Sequence, residues 1–197
     1  FGPFLVATFS NWIYLQDMKR RIVYIVGAVL FVVLAYVGIN QYMLYYTKQF
    51  SPEASAEYIT SDISVKVFYN RPSRKGRTIF GDLVPYGRWW RTGANEPTHI
   101  ELSRDIEFDN GAQLPAGKYS LVTIPKPNEW EVIFNSKIPD WGTEYFPEFD
   151  VLRVPGQVER LPQPVEVFTI DFTEENGQPR LTMAWDDTKV TVPFRVQ

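Results

Sequence analysis

Residues 22–46 read IVYIVGAVLFVVLAYVGINQYMLYY, and the rest of the chain is interpreted outward from them. The first eighteen of these residues carry no charge and no side-chain amide. As an α-helix they rise about 27 Å, close to the hydrocarbon thickness of a bilayer. The stretch is therefore expected to cross a membrane as one helix, with Tyr42, Tyr45 and Tyr46 forming an aromatic belt at one interface. Two uses of such a helix compete. A cleaved signal sequence has a basic n-region and an apolar core of about 7–15 residues. The run here is longer, and Asn40-Gln41-Tyr42 follows it in place of a small-residue cleavage site. A retained anchor is the expected outcome.

Charge sets the direction of crossing. Lys19, Arg20 and Arg21 precede the run directly, whereas only Lys48 follows it closely. Basic flanks stay on the cytoplasmic side, so the N-terminus is expected inside and the C-terminal part outside. Residues 1–48 hold four basic and one acidic side chain, leaving 16 basic and 22 acidic among residues 49–197. An acidic, aromatic-rich domain without a basic stripe is a poor nucleic-acid binder, because phosphates demand clustered Lys and Arg. With no cysteine among 197 residues, disulfide and thiolate-metal chemistry are excluded.

Around the span, residues 1–17 form an apolar, aromatic leader. It either lies in the headgroup region, with Trp12 and Tyr14 at the interface, or packs on a neighbouring subunit. Residues 18–46 are assigned to the membrane helix. Gly27, Ala28, Ala35 and Gly38 fall roughly on one side of it, where small residues admit a partner helix, although Gly and Ala are also common in spans generally. Residues 47–62 lack a sustained apolar period and contain Ser51-Pro52, which reads as a linker.

Beyond residue 62 the pattern changes to alternation. Runs at 63–69, 98–103, 118–124, 130–135, 165–172, 180–185 and 189–196 alternate β-branched or aromatic with polar residues, as strands do. Asn110-Gly111 and Asn176-Gly177 are dipeptides of tight hairpins, and Pro127-Asn128 separates two further runs. The expected architecture is an all-β sandwich or jelly-roll-like domain over residues 63–197, preceded by a single transmembrane helix.

The densest stretch is IFGDLVPYGRWWRTGANEPT, residues 79–98. Arg88 and Arg91 flank Trp89 and Trp90, an arrangement that allows guanidinium to stack on indole for about 0.5–2 kcal/mol. With Tyr86, Asn95 and Glu96 they are the candidate binding or interaction residues, suited to a sugar or a peptide. The competing reading is structural: the indoles plug one end of the sandwich and Arg–Glu pairs hold the loop.

The longer run GRTIFGDLVPYGRWWRTGANEPT (76–98), together with LPAGKYSLVTIP (114–125), EWEVIFN (129–135) and VPFRV (192–196), resembles a bacterial family of uncharacterised extracytoplasmic domains, domain of unknown function 2911. The likeness covers about residues 50–197, and PYGxxWRTGANE is its most specific motif. It implies a β-sandwich-like fold, no established activity and no transferable catalytic residues. The helix and residues 1–17 lie outside the likeness, where family members often carry a removable leader, so a retained anchor is a departure. With the basic flank inside, the expected location is the bacterial inner membrane with the domain in the periplasm.

Other constellations carry less. His99 is the single histidine and is expected half-buried in a strand. Asp105, Glu107 and Asp109 alternate on a strand, with no acid at the twelfth position of a calcium loop, so they read as a solvated face. The carboxylate pairs Glu129 and Glu131, Glu144 and Glu148, and Asp186 and Asp187 would serve a glycosidase only at about 5–9 Å separation. No metal, cofactor or nucleotide motif is present. The functional expectation is a non-catalytic accessory subunit that braces other subunits of a respiratory or photosynthetic inner-membrane complex while contacting the lipid bilayer. The alternatives are a tethered carbohydrate- or peptide-binding module and, last, a hydrolase.

Overall fold

The computed structural model describes the backbone of residues 3–197 and the side chains of residues 16–197. The interfacial placement expected for Trp12 and Tyr14 lies outside the described side chains. Two compact units are present, residues 1–46 and 47–197.

The first unit is the body of a helix, α1 (Pro3–Phe50). Within it, Gln16–Phe50 is long and apolar enough to cross a membrane, with a mean hydropathy of 2.7 in its most apolar window. That is the requirement for either a membrane anchor or a signal sequence. No residue in that window is buried, and Val29, Leu30, Phe31 and Leu34 are all exposed. The helix is not amphipathic. An all-round apolar surface suits lipid or other helices and fits water poorly. Ser51-Pro52 ends it, since a proline ring disfavours helical geometry in the residue before it.

The second unit carries nine antiparallel strands: β1 (Glu53–Ile59), β2 (Ser64–Asn70), β3 (His99–Leu102), β4 (Ile106–Phe108), β5 (Gln113–Leu114), β6 (Gly117–Ile124), β7 (Glu129–Asn135), β8 (Asp150–Glu175) and β9 (Gln178–Val196). Their order across the sheet is β1-β2-β3-β6-β7-β8-β9-β4-β5. The sheet folds over itself because β8 and β9 are long and bend at register shifts between Arg160 and Thr169. Their distal halves return across β1 and β2. The Tyr58 ring contacts Phe172 and Phe194 at 6.1 Å, and the Tyr69 hydroxyl donates to Ile170 O and accepts from Ile170 N. The result is a sandwich-like all-β domain, as the alternation predicts. Its core is aromatic, with Trp130, Phe134, Phe168 and Phe194 fully buried.

The expected turns hold the hairpins. Asn176 and Gly177 both take positive φ, 53° and 77°, which lets the long β8–β9 pair reverse in two residues. At the other turn, Gly111 N–H donates to Phe108 O and the Asn110 side chain accepts from Ala112 N–H.

The linker expected at residues 47–62 is corrected. The last helical turn occupies its start, and Glu53–Ile59 is a full strand in register with β2 from Glu53 opposite Asn70 to Ile59 opposite Ser64. Only Ala56 of EASAEYI is buried. The strand is therefore held by its backbone ladder and by Tyr58 rather than by an apolar face, which is why alternation does not reveal it.

Candidate functional site

The segment between β2 and β3, residues 71–98, is the longest connection in the domain and is tied down along its length. Ser73 bridges Val167, Phe168 N–H donates to Pro72 O, and Arg74 N–H donates to Glu166 O, which seats its start on β8. Trp90 exchanges both backbone hydrogen bonds with Thr123, seating its end on β6. Thr92 and Asn95 take left-handed φ angles of 54° and 53°, and the Thr92 hydroxyl lies 3.1 Å from that of Thr123. These positive φ values are uncommon for residues other than glycine and mark a loop whose shape its surroundings enforce. Gly142 packs against the same loop so closely that a Cβ there would sit 2.4 Å from Asn95 O and 2.6 Å from the Arg91 Cδ.

This enforced loop opens a cavity of about 680 Å³, within the usual size range of ligand sites. Trp89, Trp90 and Trp185 supply its aromatic wall, and Lys75, Arg77 and Arg91 its charge. Among the described residues no carboxylate lines it. That is an inversion of the acidic balance of the domain.

The three cations are also poorly neutralised. Lys75 Nζ lies 4.4 Å over the Phe50 ring. Among the described residues the Arg77 guanidinium donates to two backbone carbonyls, at 2.7 Å to Ser73 O and 2.9 Å to Arg74 O. Arg91 has a buried Nε with no hydrogen-bond partner, and burial alone pushes its pKa down. Arg91 as a whole is half-buried, and a partly buried guanidinium with no ion pair among the described residues favours an anion beside it.

The expected site residues divide. Trp89, Trp90, Arg91 and Asn95 line the cavity; Tyr86, Arg88 and Glu96 do not. Trp90 belongs to the aromatic cluster, stacked on Trp185 at 5.9 Å and edge-on to Trp130, Phe80 and Phe168. Trp89 is 39% exposed and touches Tyr145 at 5.4 Å. Trp90 is thus built into the aromatic core, as the structural reading has it, while Trp89 stands half-exposed at the cavity wall.

The Arg-on-indole stacking expected for Arg88 and Arg91 is absent among the described residues, where the one cation over a ring is Lys75. Arg88 points into solvent, and Arg91 is diverted against Gly142. The expected Arg–Glu pairing of the loop is also corrected: Glu96 pairs with Lys48 at 2.9 Å. Asn95 Nδ2 donates weakly to Thr47 O and Ser51 O at 3.5 and 3.4 Å. Tyr86 accepts a long contact from Arg160. On α1, Gly27 and Gly38 face open space, Ala28 is exposed and Ala35 is half-covered.

Lys75, Arg77 and Trp185 were not singled out from sequence. Their signal is the run RPSRKGR, residues 71–77, basic within an acidic domain. Structure sorts its cations. Arg71 donates to Phe168 O and Thr169 Oγ1, and Arg74 pairs with the nearly buried Asp186 at 2.9 Å. Lys75 and Arg77 are left at the cavity.

Three of the other acids named from sequence are engaged elsewhere. Glu131 binds Lys126 and Arg153, Asp187 binds Arg160, and Asp109 binds Arg195. No cluster of His, Asp and Glu suited to a metal occurs among the described residues. His99 is half-buried as expected, stacked on Phe68 at 4.9 Å.

A family model described as protein of unknown function (DUF2911) matches residues 51–194. No curated protein and no solved structure matches the chain.

Proposed function

This chain belongs to the DUF2911 family of proteins of unknown function, and from that premise we propose that it is a membrane-anchored module that works by binding an anionic ligand rather than by catalysis. In this reading α1 is retained as a single-pass anchor in the bacterial inner membrane, N-terminus inside. The β domain stands on the periplasmic face. The observation that carries the binding reading is the open cavity with three indoles, three cations and no carboxylate in its lining. Three cations in one concavity favour negative charge, and the indole faces favour a ring or apolar body beside it. Net charge on the whole domain would repel the same ligand, so recognition is confined to this one place.

Native mass spectrometry of the full chain, extracted gently from its own membranes, tests the proposal. A copurifying anionic mass that is lost in a Trp89→Ala variant supports it. A mass retained in that variant, or no mass after any extraction, contradicts it.

The second reading, an accessory subunit bracing a multisubunit respiratory or photosynthetic complex, is favoured by the uncovered apolar surface of α1. Lipid or neighbouring helices would satisfy that surface equally. Blue-native electrophoresis separates the two. Comigration with other subunits supports bracing, and migration as a lone chain removes it.

A further inference from the structure

We infer that the cavity of the β domain takes the phosphate headgroup of an anionic lipid from the bilayer that holds α1. The inference rests on the anion-binding reading above and narrows it to one source. Phosphate suits the lining: it includes Arg91, Lys75 as a point charge, and Arg77, whose Nη1 remains after Nε and Nη2 bond backbone carbonyls, with no carboxylate among the lining residues.

Chain connectivity supplies the second argument. Phe50 and Ser51 line the cavity and follow Tyr46, the last ring of the aromatic belt, by four and five residues. Even fully extended, that much chain reaches only about 15 Å, so the tether keeps this wall of the cavity within about 15 Å of the interface if Tyr46 marks it.

The cavity's rim also suits a bilayer surface. Leu83 and Trp89 are large apolar lining residues that remain 45% and 39% exposed. Exposed Leu and Trp beside unneutralised Lys and Arg is the composition of a surface that sits among headgroups. The rest of the domain is acidic and would be repelled by an anionic leaflet, so this patch is where attraction is concentrated.

The test is thermal unfolding of the full chain in non-ionic detergent, followed by near-ultraviolet circular dichroism. Separate titrations use dioleoylphosphatidylglycerol, dioleoylphosphatidylcholine and sodium phosphate. Phosphatidylglycerol should raise the midpoint and phosphatidylcholine should not. The Lys75→Gln variant should weaken the apparent affinity about fivefold, and Lys75→Gln with Arg77→Gln about twentyfold. The single variant is read beside the double because Arg77 also ties backbone carbonyls.

Equal shifts with both lipids, or an undiminished phosphatidylglycerol shift in both variants, would overturn the inference. A shift with sodium phosphate and none further with lipid would overturn the lipid source and leave anion binding standing. A shift with neither lipid nor phosphate would also overturn it, and the copurification experiment then decides the broader reading separately.

Discussion

The helix and the β domain use the same kinds of apolar side chain in opposite ways. Val29, Leu30, Phe31 and Leu34 of α1 are all exposed, whereas Val67, Leu121, Phe134 and Phe168 of the domain are buried to within a few per cent. Composition does not separate the two; periodicity does. An apolar run without a polar face leaves nowhere to fold inward, and strict alternation divides a strand into a covered and a wet side. The difference teaches that the domain carries its own apolar environment while the helix must find one outside the chain.

Changes that harm one region and spare the other test this contrast. The largest expected effect is on the domain: Phe168→Ala removes a ring in contact with Tyr69, Trp90 and Trp185. It should cost about 4 kcal/mol in a urea melt of the full chain in detergent, while membrane retention stays unchanged. Leu34→Asp should do the reverse. A carboxylate at the centre of the span costs about 3 kcal/mol of insertion, seen as release during alkaline carbonate extraction, with the domain's melt unaltered.

Asp186→Asn should follow. It leaves Arg74 without its carboxylate and weakens the bond from Ile79 N–H, which is 3.3 Å long. The cost should be about 2 kcal/mol, less than for a fully buried pair because Arg74 is partly wet.

Smaller still is a pH effect confined to the domain. Burial, then the charge of Lys118, hold the pKa of His99 below its usual 6.5. The unfolded chain therefore takes up that proton first, and the contribution is present above pH 6.5 and is lost as pH falls below it. Glu101 faces His99 at 3.9 Å. Its own pKa is held low by Lys118, so its contribution persists down to the carboxylate range. His99→Gln should remove the shallow slope near neutrality and keep the acid transition. Trp89→Ala should be the mildest, within about 0.5 kcal/mol of wild type in stability, because the ring is exposed. Its consequence should appear in ligand retention instead.

How legible these features were follows from where the deciding interactions lie. The span, the hairpin dipeptides and the strands with one apolar face are local patterns, so they can be read from the chain. Strand β1 cannot, because small residues hide its pairing with β2. The first half of β8 is similarly masked by Pro155, Gly156, Pro162 and Pro164, which read as breakers although β7 and β9 pair on either side of it. At the site, Trp89, Trp90, Arg91 and Asn95 were visible as a dense motif. Lys75 and Trp185 were not, because 110 residues separate partners that only the folded sheet brings to one cavity. The expected Arg-on-indole stacking is not formed: Arg88 is exposed, and the Arg91 side chain packs against Gly142 instead.

Both proposals depend on the uncovered helix staying with the domain. The most direct measurement is the intact mass of the protein recovered from carbonate-washed membranes of cells that make it. The account predicts a chain that still contains residues 22–46; a mature product lacking them, recovered in the soluble fraction, would contradict it.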